Sequence, residues 1–198
     1  MKYKKLRAII LKKQNYREAD QIVSCWSREA GKVRCLAKSL RLPKSKMAYC
    51  MQDLSEVEID LAGNPASTRL SSLGGHLPTL IGAKSLRQFA GLHQDLKKAA
   101  IGFYAAELML KITADEHPNP AAYDLLTEFL ASLDKLSDPN LYDSLLDSFC
   151  LSILETMGFK VPSHLKAVDH KSINKFIEYI LERNLKSELF MKHVTYNT

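Results

Sequence analysis

The 198-residue chain is 46% hydrophobic and 25% charged, with 8 glycines and 7 prolines, a composition that excludes collagen-like, low-complexity and disordered readings. A chain of this length buries enough apolar surface that neither disulfides nor a structural metal is needed to hold it together. Charge is more informative, because residues 1–50 carry 14 lysines and arginines against Glu18, Asp20 and Glu29, a net +11, whereas residues 51–198 carry 14 against 19, a net −5.

Read in chain order, the first 75 residues show short apolar runs rich in β-branched and aromatic types, the signature of strands. Five are expected. Leu6–Lys12 is nearly continuous, Asp20–Ser27 sets Ile22, Ser24 and Trp26 against Val23 and Cys25, and Gly31–Lys38 sets Val33, Cys35 and Ala37 against Lys32 and Arg34. Leu54–Leu61 places Val57, Ile59 and Leu61 on one face and Glu56, Glu58 and Asp60 on the other, and Thr68–Gly75 follows a Gly63-Asn64-Pro65 turn. Five short strands predict a small closed barrel, which leaves no open sheet edge.

Beyond Pro78 the apolar spacing changes to three and four residues, which predicts helices. Asp95–Ala114 reads as a central helix whose one polar stripe is Lys97, Tyr104, Glu107 and Lys111. Asn119-Pro120 opens a helix through Leu133, and Asp138-Pro139 opens another that carries Tyr142, Leu146, Phe149, Ile153 and Met157 on one stripe and stops at Gly158. One long last helix is expected from about Ser172, with Ile173, Phe176, Ile177, Ile180 and Leu181 on its apolar side. The fold class is therefore α+β, a five-stranded barrel over residues 1–78 followed by an α-helical domain over 79–198.

Chemical motifs are scarce. There is no GxxxxGK[ST] or GxGxxG loop, no GxSxG elbow and no HExxH pair. Cys25, Cys35, Cys50 and Cys150 form no CxxC pair, so they are assigned to packing as reduced thiols, and His164 and His170, six apart, have no cysteine or acidic partner at ligand spacing. Ser132, Ser163 and Ser172 each begin an SxxK, a number that chance supplies in a serine- and lysine-rich chain. No catalytic residue, metal or cofactor is expected. No run of 18 apolar residues exists to span a membrane, and Leu6–Leu11, with Arg7 inside it, is too short for a signal-peptide core, so the expected compartment is the cytoplasm.

The positive signal is the cationic first quarter, since a surface of this charge recruits polyanions. Lys32 and Arg34 share a strand face, and the run Lys38-Ser39-Leu40-Arg41-Leu42-Pro43-Lys44-Ser45-Lys46 concentrates charge between the third and fourth strands. A loop chosen for solubility alone needs far less charge. Trp26 and Tyr49 are candidates for stacking on bases, with core or rim packing as the alternative for each. The acidic outer face of the fourth strand repels phosphate, so a nucleic acid would cross strands one to three and the 38–46 loop.

These residues resemble the bacterial recombination mediator family RecO. The resemblance lies in Arg7-Ala8-Ile9-Ile10-Leu11-Lys12, Tyr16-Arg17-Glu18-Ala19-Asp20, Ser27-Arg28-Glu29-Ala30-Gly31-Lys32-Val33-Arg34, Ala37-Lys38 and Pro43-Lys44-Ser45-Lys46. It continues in Pro118-Asn119-Pro120, Met157-Gly158-Phe159 with Pro162, and Asn184-Leu185-Lys186-Ser187. It implies an N-terminal OB-fold barrel, a helical domain, and a cytoplasmic, nucleoid-associated protein that is not an enzyme. Such a protein binds single- and double-stranded DNA, anneals complementary strands and assists recombinase loading in the RecF pathway. The implied partners are DNA, RecR, single-strand-binding protein and, indirectly, RecA. The DNA contacts expected on this chain are Arg7, Lys12, Lys13, Lys32, Arg34, Lys38, Arg41, Lys44 and Lys46. Two features depart from the family pattern: Ser39 stands where a glycine often follows Ala-Lys, and the four-cysteine zinc insertion that many members carry after Gly-Phe-x-x-Pro is absent, Pro162 running into Ser163-His164. An RNA-binding or ribosome-associated OB protein would share the basic barrel, and an enzyme would instead need a pocket of paired titratable groups in the helical domain.

Overall fold

A computed structural model describes residues 3–63, 77–115, 117–162, 165, 170–182 and 184–196. The chain divides into two compact units, Met1–Gln88 with Thr113–Pro120, and Phe89–Ile112 with Ala121–Thr198.

The first unit is built on five strands, β1 (Tyr3–Tyr16), β2 (Asp20–Ser27), β3 (Gly31–Ala37), β4 (Glu56–Ala62) and β5 (Thr79–Arg87). They close in the order β1-β2-β3-β5-β4, antiparallel except where Leu36 of β3 pairs in parallel with Thr79 of β5. This is the five-stranded barrel of the OB-fold. The period-two alternation fixes which side chains fill it: Leu6, Ala8 and Ile10, Val23 and Cys25, Val33 and Cys35, and Val57, Ile59 and Leu61 all point into one core. The expected strand Thr68–Gly75 lies outside the described residues. The fifth strand of the sheet is β5, so the unit that holds the barrel extends past residue 78, to Gln88.

The alternation of β1 breaks at a single point. The β1–β2 register shifts between Ile10 and Lys12, leaving Leu11 as an extra residue, and this bulge reverses which residues of β1 face inward. Before it, Leu6, Ala8 and Ile10 are the core residues. After it, Lys13 lies opposite the core residue Val23, and Lys12 lies opposite Ser24 on the outer face.

The β2–β3 turn explains one of the strongest sequence motifs. In the β2–β3 turn the Ser27 hydroxyl accepts from the amides of Glu29 and Ala30, and the Glu29 carboxylate accepts from the Arg7 amide at 3.0 Å, tying the turn to β1. Gly31 closes that turn at φ +69, and a Cβ there would lie 2.5 Å from the His117 carbonyl oxygen. Only glycine meets both demands.

The second unit contains α1 (Ala90–Gln94), α2 (Leu96–Ile112), α3 (Pro120–Lys135), α4 (Tyr142–Thr156), α5 (His170–Leu181) and α6 (Lys186–Tyr196). Asp95 caps α2 by accepting from the amides of Lys97 and Lys98, and Asp138 caps the short 3-10 turn Pro139–Leu141 ahead of α4. Of the expected stripe, Tyr142, Leu146, Phe149 and Ile153 are buried and Met157, just past the helix, is only partly so, and the chain leaves α4 through Gly158 at φ +88. Tyr104 departs from its expected place on the polar stripe of α2: it is fully buried, and its hydroxyl donates to the Asn174 side chain. Asn174 also meets His170 Nε2, and His170 Nδ1 meets Asp147, so a partly buried polar chain links α2, α5 and α4. Burial alone would lower the His170 pKa, but the Asp147 carboxylate outweighs it and raises the imidazole above its ordinary value.

The last helix is also divided. Glu182 at φ +52 ends α5, and α6 restarts where the Glu107 carboxylate accepts from the amides of Lys186 and Ser187 at 3.1 and 2.7 Å. Continuous apolar spacing carries no trace of this capture by a side chain of α2. Among the described residues no helix is long and apolar enough to cross a membrane.

Candidate nucleic-acid interface

The site is built from the middle of the barrel outward. On the faces of three adjacent strands turned away from the barrel core, Lys12, Ser24 and Arg34 stand in one cross-strand row, with Ser24 itself buried between the two cations. Neighbouring strands are about 4.8 Å apart, so the two cations sit on backbones roughly 10 Å from each other. Neither has a hydrogen bond or ion pair among the described residues; Lys12 is exposed and Arg34 partly so.

Beyond β3 the track continues into the 38–46 segment, which is a built structure rather than a solvated loop. Leu40 is buried in the barrel core, with Met51 further along and Met47 packed against them. Between these anchors the chain runs through consecutive tight turns, Leu42 bonding back to Ser39, Ser45 to Leu42, Ala48 to Ser45 and Cys50 to Met47. The β1–β2 turn holds its start: the Asp20 carboxylate accepts from the Ser39 amide at 2.8 Å, the Ala19 carbonyl from the Arg41 amide at 3.0 Å, and the Glu18 carbonyl from Arg41 Nη1 at 3.1 Å. Glu18-Ala19-Asp20, one of the most family-like stretches, is thus the platform on which the basic segment rests. Ser39 adopts φ +55, the left-handed region that glycine favours. With Leu40 and Met47 turned in, Lys38, Arg41, Lys44 and Lys46 are left exposed, as is Leu42.

The nine expected contact residues therefore separate. Lys12, Arg34, Lys38, Arg41, Lys44 and Lys46 lie along this track. Lys13 does not, since the bulge turns it toward the end of the barrel, where its ammonium donates to the Met51 carbonyl at 2.8 Å and pairs with Asp53 at 3.3 Å. Lys32 is also engaged, donating to the Thr113 carbonyl at 2.6 Å and pairing with Asp115 at 3.1 Å, with 15% of its side chain exposed. These bonds fasten the 113–117 segment to the start of β3. Arg7 lies opposite Glu58 of β4, with its guanidinium 4.0 Å from Glu56.

The outer face of β4 is less hostile to phosphate than its three carboxylates suggest. Lys5 pairs with Glu58 at 2.9 Å and Asp60 at 3.5 Å, and Glu56 lies between Arg7 and Arg87. The bond from Lys5 holds the Glu58 carboxyl below its ordinary range. This face is a compensated lattice of both signs, which neither attracts nor strongly repels a polyanion.

Sequence reasoning missed Arg17. It stands exposed in the same β1–β2 turn that docks the basic segment, at φ +53, with its guanidinium 5.2 Å from the centre of the Tyr16 ring. The available signal was its place in the Tyr16–Asp20 motif. Of the two stacking candidates, Trp26 is fully buried, whereas Tyr49 is 67% exposed.

The cysteines do not fit the zinc site that many proteins resembling this one carry. Cys25, Cys35 and Cys150 are buried, and burial pushes the Cys35 thiol up to about 12, the reverse of what a thiolate ligand requires. Among the described residues no group of three or more His, Cys, Asp or Glu side chains is placed to hold a metal. His164 lies outside the described residues.

Comparison with known proteins agrees with this architecture. Residues 1–89 match the family model "Recombination protein O N terminal" and residues 93–177 match "Recombination protein O C terminal". A protein of Dehalococcoides mccartyi named DNA repair protein RecO is 31% identical over 175 residues, which cover 88% of this chain and 64% of that protein. A Listeria welshimeri protein of the same name is 28% identical over 150 residues, 76% of this chain and 55% of its own. The chain thus spans less than two thirds of the length of these relatives. With both family models matched in order and the first falling on the barrel that carries the basic track, the chain belongs to the RecO family of DNA repair proteins.

Proposed function

We propose that this chain acts in DNA repair and homologous recombination as a non-enzymatic mediator that binds single- and double-stranded DNA through its barrel, anneals complementary strands and assists recombinase loading in the RecF pathway. The observation that carries the proposal is the track from Lys12 and Arg34 into the anchored 38–46 segment, where six cations face outward on backbone that the fold holds in place. Contacts of this kind neutralise phosphates without reading bases, so binding is expected on any sequence and on either strand form. A surface that holds one strand by its backbone leaves the bases open to a complement, which is what annealing needs.

The partners proposed from family membership are RecR, single-strand-binding protein and, indirectly, RecA, with the protein acting at the nucleoid in the cytoplasm. The division of charge favours the barrel for DNA and the helical unit for protein contacts. The test is strand annealing on complementary oligonucleotides coated with the cognate single-strand-binding protein, with single-stranded RNA as competitor. Acceleration that DNA competes away and RNA does not supports the reading. Failure to bind or anneal DNA, or preference for RNA, would replace it with an RNA-binding role.

A further inference from the structure

Tyr49 is an aromatic side chain without an internal use. Its side chain is exposed, and no ring contact or side-chain hydrogen bond engages it among the described residues. Its backbone, by contrast, is held: the carbonyl of Tyr49 accepts from Gln88 Nε2 at 3.3 Å, the following Cys50 and Met51 amides both bond to the Met47 carbonyl, and Met51 is buried in the core with Lys13 on its carbonyl. A large ring is therefore presented to solvent from a rigid turn, three residues after Lys46 and five after Lys44, both exposed.

The other tyrosines of the barrel are placed differently. Tyr16 already has the Arg17 guanidinium near its ring face, and Tyr3, also exposed, lies at the β1–β4 edge beside the compensated lattice of Lys5, Glu58 and Asp60. Of these three, Tyr49 is the one that shares the anchored basic segment with the exposed Lys44 and Lys46. An exposed ring beside cations that hold phosphate has the chemistry of a stacking platform for a base that is not paired, because a duplex keeps its base faces covered by their neighbours. The lysines act on the backbone of either strand form, and the ring acts only on one.

We propose that Tyr49 stacks on an unpaired base of a nucleic acid held by Lys44 and Lys46, and so makes this surface favour single strands over duplex. The inference rests on the proposed DNA binding and adds a selectivity to it that phosphate contacts cannot supply.

The test compares the unaltered chain with Tyr49→Ala and Tyr49→Phe, binding an oligothymidylate and a blunt duplex of equal length across a salt series. Tyr49→Ala should weaken binding to the single strand by roughly 5- to 100-fold, leave duplex binding within about twofold, and leave the salt slope of both unchanged, since stacking releases no counterions. Tyr49→Phe should retain single-strand affinity, because the ring face and not the hydroxyl makes the contact. Equal weakening on both substrates, a shallower salt slope, or no weakening in Tyr49→Ala would overturn the assignment while leaving DNA binding intact. If the unaltered chain binds neither substrate, the DNA-binding reading fails and this inference falls with it. Thermal melting separates misfolding from lost contact, and an unchanged midpoint is expected because Tyr49 lies outside the core.

Discussion

The division of the nine expected cations into those exposed along the track and those, Lys13 and Lys32, held by internal bonds predicts two kinds of variant. Lys38, Arg41, Lys44 and Lys46 project from a segment whose fold rests on Leu40, Met47 and Met51, so changing all four to alanine should leave the barrel folded. On single strands the logarithm of affinity falls with the logarithm of salt at about −0.7 per phosphate neutralised, so a parent that uses about five cations at once should show a slope near −3 to −4. Removing four should make the slope shallower by about 2 to 3, with similar weakening on every sequence. Lys13→Ala and Lys32→Ala each remove one positive charge from the same unit, yet each ammonium is held by a carbonyl and a carboxylate of the chain itself. They should leave the slope unchanged and instead cost about 1 kcal/mol of stability each. The assay is fluorescence anisotropy of a labelled oligonucleotide over a salt series, with urea unfolding of each variant. A quadruple variant that folds and keeps the parent's slope would refute the track. A flatter slope in Lys13→Ala or Lys32→Ala would show that their internal bonds open for phosphate.

Local geometry sets three further outcomes. Gly31→Ala must place a methyl group against the His117 carbonyl oxygen, 2.5 Å away, on backbone at φ +69, and should lower the stability of the barrel by about 2–4 kcal/mol in denaturant unfolding. Ser39→Gly relieves a left-handed φ of 55 while keeping the amide that bonds Asp20, and should stabilise by about 0.5 kcal/mol with DNA affinity unchanged. For Glu107, burial alone would raise its pKa, but the bonds from Lys111, Ser187 and Lys186 hold it down at about 2. Its contribution is therefore complete above the ordinary carboxyl value near 4.5 and fades as pH falls toward 2, so Glu107→Gln should cost about 1–2 kcal/mol at neutral pH and progressively less below pH 4.5.

Much of the barrel was legible because a strand with one buried face writes its orientation into every second residue. Val57, Ile59 and Leu61 against Glu56, Glu58 and Asp60 is such a pattern, and it holds for the three core residues without exception. The fifth strand was not legible for the opposite reason: β5 buries fully only Leu80, exposes Ile81 and Leu86, and shifts register between the positions opposite Asp60 and Leu61, so its alternation is broken. In the helical unit the same limit applies to Tyr104. A tyrosine between lysines and glutamates reads as polar surface until a buried asparagine 70 residues away supplies a partner for its hydroxyl.

The candidate site shows why charge in a sequence is an incomplete guide to charge on a surface. Lys12 and Lys13 are adjacent and chemically identical, yet the single extra residue at Leu11 sends one to the outer face and the other to a backbone carbonyl. Lys32 and Arg34 share a strand face, yet Lys32 is taken up by a segment 81 residues further along the chain. What remains exposed is concentrated where the backbone is firmly held, by Asp20 and Ala19 on one side and by Leu40, Met47 and Met51 beneath. A flexible basic tail would lose conformational entropy for every phosphate it engages, whereas this segment has already lost its backbone freedom on folding. Solubility alone gives no reason for that arrangement, and a partner that must be gripped by its backbone does.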